Sequence, residues 1–301
     1  MHDIVIIGAG PAGLTAAVYA RRAGKTAAVL EKSSFGGQIT HSPKVENYPG
    51  FTEISGAELA DRMTEQALFQ GAEIELETVT GIEKRAEGFC VVTEDGEYPC
   101  KSVIIAAGAD PRRLGVAREE ELAGNGIYYC AVCDGAFQKG RTVGIVGGGN
   151  SALQEALLLA DIVSKLYVIQ NLDFFTGEEK MVEALRARNN VEILLGTVVE
   201  ELIGKDGLQA VRVRNGAGMD RQIELEALFV AIGRVPDNEA YAEMAALDKS
   251  GYIDADESCT THTPGIFVAG DCRSKVVRQL ATAISDGAAA ALAACRYIDA
   301  L

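Results

Sequence analysis

The chain has 301 residues, enough for about two domains, and its 48% hydrophobic and 24% charged content belongs to a well-packed globular protein rather than a disordered or fibrous one. A net charge of -15 excludes nucleic acid and anionic membrane surfaces as partners, because both demand basic faces. Seven cysteines are too few for a disulfide scaffold, and an odd number fits reduced core thiols plus one reactive pair. No basic segment precedes the first apolar stretch, and the most apolar late stretch, 287–295, is too short to span a bilayer. A cytoplasmic location without membrane contact is therefore expected.

Residues 3–7 are a continuous apolar run, as in a buried parallel strand. Gly8, Gly10 and Gly13 follow at GxGxxG spacing, with Pro11 and Ala12 between them, and 14–22 reads as a helix. Residues 27–30 form a second strand that ends at Glu31. Strand, glycine turn, helix, strand and acid make up the dinucleotide fingerprint. The glycines let the backbone close on a pyrophosphate at a helix N-terminus, and the acid accepts from ribose hydroxyls.

Residues 33–50 read as loop, in which Gly36, Gly37, Gln38 and Asn47 offer amides suited to the rim of a flat heteroaromatic ring. Helical spacing covers 54–69, and alternating strands cover 73–80 and 88–93 with a turn at Asp95-Gly96. Another apolar strand, 102–106, is stopped by Ala107-Gly108.

Cys130 and Cys133 can close a small disulfide ring, and Asp134 follows at once. A dithiol that opens and closes needs an electron source and a proton source; Asp134 suits the second task, or the capping of a helix. Zinc would need two more ligands, yet there is no second CxxC, and His2, His41 and His262 lack ligand spacing. Next come a strand at 142–146, a turn Gly147-Gly148-Gly149 leading into Asn150, Ser151 and Ala152, a helix at 151–161 and a strand at 166–169. This second copy ends on Gln170-Asn171-Leu172-Asp173, which offers no positive charge to a 2′-phosphate. Strands are expected at 208–214 and 222–232, then a strand closing on Gly270-Asp271, then an Ala-rich helix from about 276 to 297. Cys90, Cys100, Cys259 and Cys295 read as buried thiols, and Cys272 is assigned no role.

Taken together, the first glycine turn, Gly36-Gly37-Gln38, residues 45–50, the dithiol run 130–135, the second glycine turn, Ala269-Gly270-Asp271 and Arg278-Gln279-Leu280 resemble the low-molecular-weight thioredoxin reductases along essentially the whole chain. The resemblance implies an α/β fold of two Rossmann-like dinucleotide-binding domains, each three-layer β/β/α, one inserted in the other. A discontinuous FAD-binding domain would span 1–112 and 240–301, and a nucleotide-binding-like domain carrying the dithiol would span 113–239. The first turn (Gly8, Gly10, Pro11, Ala12, Gly13) and Glu31 would hold the ADP half of FAD. Gly36, Gly37, Gln38, Asn47, Ala107 and Gly108 would line the flavin side, with Gly270 and Asp271 at the ribityl chain or pyrophosphate. Arg278, Gln279 and Leu280 would sit at the pyrimidine end of the flavin. Cys133 would face the flavin, Cys130 would attack thioredoxin or a thioredoxin-like protein, and Asp134 would protonate the departing thiolate. Gly147, Gly149, Asn150, Ser151 and Ala152 would seat a nicotinamide nucleotide, the alternative being a vestigial turn that serves only strand–helix packing. A homodimer is implied, with hinges at 109–113 and 233–238.

The chain departs from the family where members carry a His-Arg-Arg…Arg run for the 2′-phosphate of NADPH: here 170–176 reads Gln-Asn-Leu-Asp-Phe-Phe-Thr. Three donors stay open: NADPH held by other residues, NADH, or reduced ferredoxin. A flavin-dependent dithiol oxidase is the alternative activity. An acidic ferredoxin would need a local basic patch, for which Arg112-Arg113 with Arg118, or Arg273 with Lys275, are the candidates; the bland reading is that these cations are solvated.

Overall fold

The computed structural model describes residues 1–42 and 44–301. They divide into two compact units, Met1–Asp110 with Val235–Leu301, and Pro111–Arg234. The divisions fall at 110/111 and 234/235, where the sequence suggested 112/113 and 239/240.

In the first unit β1 (His2–Ile7) leads through the glycine turn into α1 (Pro11–Arg22) and then β2 (Ala27–Glu31). The helix starts at Pro11, before the expected 14, because proline's fixed φ and missing N–H suit a first helical position. Helix α2 (Gly56–Phe69) is opened by Ser55, whose side chain accepts from the Glu58 N–H at 3.1 Å. Strand β3 (Glu73–Leu76) pairs parallel with β2, and the antiparallel meander β4 (Val79–Arg85), β5 (Gly88–Thr93) and β6 (Glu97–Ile105) follows. Strand β6 begins earlier than expected because its halves have different partners: 97–100 pairs antiparallel with β5, and 102–105 pairs parallel with β1.

The chain then passes β7 (Asp110–Pro111), β8 (Ile127–Tyr128), the single-turn α3 (Ala131–Asp134), β9 (Thr142–Val146), α4 (Asn150–Ala160) and β10 (Lys165–Ile169). After α5 (Glu179–Arg186) come β11 (Val191–Leu194), β12 (Thr197–Ile203), β13 (Ala210–Asn215), β14 (Asp220–Glu224), β15 (Ala227–Val230) and β16 (Arg234–Val235). The apolar run expected as one strand at 222–232 is two, since Leu225 and Glu226 turn their N–H groups to the Gln209 and Thr142 carbonyls. Strands β7 and β16 form a separate two-stranded sheet. Finally β17 (Ile266–Val268) and α6 (Leu280–Asp299) return to the first unit. Helix α6 starts at Leu280, four residues after the expected 276, because Gln279 and Thr282 form a capping box there.

Both units are three-layered α/β. The first has a seven-stranded sheet in the order β3-β2-β1-β6-β5-β4, with β17 joined to β6. Ile4 and Ile6 of β1 pack with α1 and α6, while Val5 and Ile7 pack on the other face with meander residues such as Ile82, Phe89 and Val91. That period of two fixes the layers. The second unit has a parallel sheet β11-β10-β9-β15-β8 and a three-stranded sheet β12-β13-β14. Here Val143 and Ile145 face the helices, while Val146 and Ile169 face the antiparallel sheet. Each fully buried aliphatic side chain contributes about 1.5–3 kcal/mol, so two double-sided cores hold the glycine turns at their strand ends. Among the described residues no helix is long and apolar enough to cross a membrane.

Candidate active site

The first glycine turn is shaped by what its residues lack. Gly8 has φ +102°, and a Cβ there would lie 2.4 Å from the Ala106 carbonyl oxygen, with the Ala107 Cα 3.3 Å away. A Cβ on Gly13 would lie 1.9 Å from the Gly8 oxygen. The turn is thus pressed against the end of β6, next to Ala107-Gly108, and α1 begins with no side-chain cap and no acid in its first turn. Its N–H groups stay open to an anion, and a Cβ on Gly10 would meet nothing within 4 Å. Gly37 lies 3.1 Å from Gly10 by the same measure, and the Gly36 N–H bonds the Ala9 carbonyl at 2.8 Å, so the 36–37 loop forms a second wall. Glu31 is buried; one carboxylate oxygen accepts the Ala9 N–H at 2.8 Å, and the other accepts the Ser33 N–H and hydroxyl at 3.0 and 3.2 Å. A carboxylate has about four acceptor sites, so one remains for a ribose hydroxyl. An open helix N-terminus, a bare glycine cradle and a buried carboxylate with one acceptor site left fit the ADP half of FAD.

Other expected residues gather nearby within this unit. Gly270 presses on Ala12 of the same turn, where a Cβ would lie 2.9 Å from the alanine methyl, and it brings Asp271 with it. The Asn47 amide donates to the Gln279 side chain at 3.5 Å, at the start of α6 beside Leu280. Gln38 donates to Asp110 at 2.6 Å. Arg278 spends its guanidinium on the Asp271, Arg273 and Lys275 carbonyls (2.9–3.3 Å) and lies 4.0 Å over the Tyr252 ring, so it braces this loop. The basic patch expected from Arg273 and Lys275 does not exist. Arg273 is 1% exposed and both cations bond the buried Asp286, whose second task is to accept the Gly270 N–H at 3.0 Å. Burial would raise the Asp286 carboxyl, but Arg273 and Lys275 outweigh it and hold it below its ordinary value. Arg118 pairs with Glu121, and Arg113 stacks on Tyr129 at 5.0 Å. Cys272 is a core thiol, donating to the Ala269 and Ile105 carbonyls, and burial pushes it up to about 11.

In the second unit Cys130 and Cys133 are joined in a disulfide with Cα atoms 5.3 Å apart. The other five cysteines are buried and free. The helix that follows Cys130, α3, is only one turn, too short for a helix dipole to act strongly. A direct bond does the local work instead: the Cys133 N–H donates to Cys130 Sγ at 3.2 Å. Asp134 is buried at 6% exposure, makes no side-chain cap, and its Oδ1 meets no donor among the described residues, which overturns the capping reading. Burial first, and the Glu155 carboxylate second, push Asp134 up to about 7. Glu155 escaped the sequence reading; it lies on α4 and accepts the Ala131 N–H at 3.0 Å.

The second glycine turn repeats the first only in outline. Gly147 (φ +137°) is pressed on the Ala231 carbonyl, as Gly8 is on that of Ala106, and packs on Ala152. The Gly147 N–H bonds the Ile169 carbonyl as the Gly8 N–H bonds that of Leu30, so Gln170 occupies the place of Glu31. Gln170 does not bond the turn's backbone. Its carboxamide lies against Gly148, 2.5 Å from where a Cβ would be, and donates to the Phe174 carbonyl at 3.2 Å. The following residues fold back as well: the Thr176 and Gly177 N–H groups bond the Gly148 carbonyl at 2.9 and 3.0 Å. Asn150 accepts the Glu178 N–H at 2.8 Å, next to Ser151. Thr176 Oγ1 stands 3.7 Å from the Cβ position of Gly149, where Gly10 has open space. Gln170 and Thr176 thus stand closer to the second turn than any side chain stands to Gly10 in the first.

Residues 2–287 match the family model described as pyridine nucleotide-disulphide oxidoreductase. The chain is 41% identical to the "34.2 kDa protein in rubredoxin operon" of Clostridium pasteurianum, over 98% of this chain and 97% of that protein. It is 38% identical to the thioredoxin reductase of Listeria innocua, over 100% of this chain and 95% of that one. Among solved structures, the thioredoxin reductase of Streptococcus pyogenes superposes with a TM-score of 0.94 at 37% identity, covering 100% of this chain and 99% of that one.

Proposed function

The chain belongs to the pyridine nucleotide-disulphide oxidoreductase family, and within it to the low-molecular-weight thioredoxin reductases; on that premise we propose that it reduces the disulfide of thioredoxin, or of a thioredoxin-like protein, through Cys130 and Cys133. The observation that carries this reading is the Cys130–Cys133 disulfide beside a buried Asp134 whose carboxyl holds its proton up to about pH 7. FAD, when bound, supplies the electron pair that opens the disulfide. Residues Gly8–Gly13, Glu31, Gly36, Gly37, Asn47, Asp271 and the start of α6 would hold it in the first unit; the second unit carries the dithiol.

In the reduced enzyme the Cys133 N–H favours a thiolate on Cys130, which supports Cys130 as the residue that attacks the substrate disulfide. Asp134, held neutral by burial, donates to the departing substrate thiolate. Serine at Cys130 or Cys133 should abolish protein-disulfide reduction while leaving a yellow, FAD-loaded protein. Retained reduction in both variants, or oxygen uptake with small dithiols and no thioredoxin turnover, refutes the assignment.

The electron donor in this reading is not NADPH. Residues 170–176 lack a cation for a 2′-phosphate, and Gln170 with Thr176 crowds the second glycine turn. NADH or a reduced ferredoxin takes that place, and an acidic ferredoxin would have to dock without Arg273 and Lys275, which are buried on Asp286. Anaerobic mixing with NADPH, NADH or reduced ferredoxin tests this by flavin bleaching. Fast bleaching by micromolar NADPH overturns it.

A further inference from the structure

Beside the disulfide lies a second carboxyl that the steps above do not use. Glu155 projects from α4, and its Oε2 accepts the N–H of Ala131, the residue that follows Cys130. Asp134 sits at the other end of the same single turn, buried, with Oδ1 bonded to nothing among the described residues. Leu159, one turn further along α4, closes over Gly135 so tightly that a Cβ there would lie 3.1 Å from its methyl. The two carboxyls therefore have unequal support: Asp134 is buried and Glu155 half-buried. Burial raises the Glu155 carboxyl, but the Ala131 N–H and the field of Arg234 oppose it; Asp134 is raised by burial with neither to oppose it, and feels Glu155 as a second, adverse charge.

Two neighbouring carboxyls of this kind do not both ionise readily, and the single charge settles on the better-supported one. We propose that Glu155 is a positioning residue for catalysis: by holding that charge at the Ala131 N–H, it leaves the site's proton on Asp134, ready for the departing thiolate. In the step concerned, the Cys130 thiolate forms a bond to one substrate sulfur as the substrate S–S bond breaks. The other substrate sulfur takes the electron pair and the Asp134 proton. Cys133 then returns its own proton to Asp134 as its sulfur attacks Cys130 Sγ, and the first substrate sulfur leaves as a thiolate. Two electrons pass from the dithiol to the substrate, and Asp134 ends as it began.

The inference rests on the dithiol reading of the site, so its main test needs no acceptor. Infrared titration of the oxidised, FAD-loaded protein follows the protonated-carboxyl band, with Asp134→Asn assigning the Asp134 component. The expected wild-type half-point for that component is near pH 7, and Glu155→Gln, which keeps an acceptor for the Ala131 N–H, should lower it by about one pH unit or more. Glu155→Asp, which keeps the charge, should restore most of the shift. Comparison of wild type with Asp134→Asn gives a second check: the substitution must remove the upper of the two carboxyl steps.

With a protein-disulfide acceptor, Glu155→Gln should slow single-turnover reduction about tenfold at pH 7.5, and by much less at pH 6, with no further loss on top of Asp134→Asn. An unmoved Asp134 half-point in Glu155→Gln, removal of the lower step by Asp134→Asn, or an equal kinetic loss in the Asp134→Asn background overturns the proposal. If wild type reduces no protein disulfide, the reading of function fails while the infrared arms still decide the role of Glu155.

Discussion

Gly13 illustrates how little freedom single positions have here. Its Cβ position lies 1.9 Å from the Gly8 carbonyl oxygen, so Gly13→Ala must push α1 off the end of β1. The expected outcome is a cost of about 1–3 kcal/mol in urea unfolding and loss of bound FAD, read from the flavin absorbance of the purified variant. Asp286 is a second such residue, because Asp286→Asn leaves Lys275 buried without a carboxylate and Arg273 with only the exposed Glu257. A loss of about 3–5 kcal/mol in urea unfolding is expected. Asp134 carries a pH signature. Its carboxyl titrates near 3.8 in an unfolded chain and near 7 in the folded one, so folding binds its proton more tightly. Its contribution to stability is therefore largest at low pH and is lost as pH rises from about 4 to about 7; urea midpoints across that range should slope less in Asp134→Asn. The glycines, Glu31, the cysteine pair and Asp134 were all legible as residue types at fixed short spacings. Glu155 was not: its bond to Ala131 spans 24 residues, and nothing local marks a glutamate in a helix as turned towards the dithiol.

At the scale of elements, strand, glycine turn, helix and strand were readable twice, because period, glycine placement and a following strand are local features. Starts and ends shifted where a partner decided them. Pro11 opened α1 early, Gln279 and Thr282 delayed α6, and the divided pairing of β6 extended it. The second turn shows what element reading misses. The missing acid and missing cations were visible, but the fold-back of 170–178 onto Gly148 was not, since it depends on where Gln170 points. That segment's closure can be measured. Gln170→Ala removes the carboxamide from Gly148 and from the Phe174 carbonyl, and the Thr176 and Gly177 amides, which bond the Gly148 carbonyl, should then exchange about tenfold faster. Unchanged exchange would mean the loop holds itself without Gln170.

For the whole molecule, the division into units gives a test of independence. Segment 111–234 is continuous, and its two core clusters draw only on its own residues. Expressed alone, it should unfold in one cooperative transition by circular dichroism. The first unit cannot be cut the same way. Its helix-side core mixes α1 and β1 with α6 and Phe267, so removing 235–301 should leave 1–110 unable to fold or bind FAD. By itself, the sequence determined the α/β class, the repeated strand–glycine turn–helix units and the Cys130/Cys133 pair with Asp134 beside it, because each is written in residues a few positions apart and enforced by backbone sterics and side-chain period. Tertiary structure alone decided that Arg273 and Lys275 are interior cations on Asp286, that Glu155 stands at the dithiol, and that Gln170 crowds the second turn where Glu31 leaves the first open. Those outcomes depend on burial and on charges brought close from distant parts of the chain, and desolvation and Coulomb energies follow distance in space rather than position in sequence.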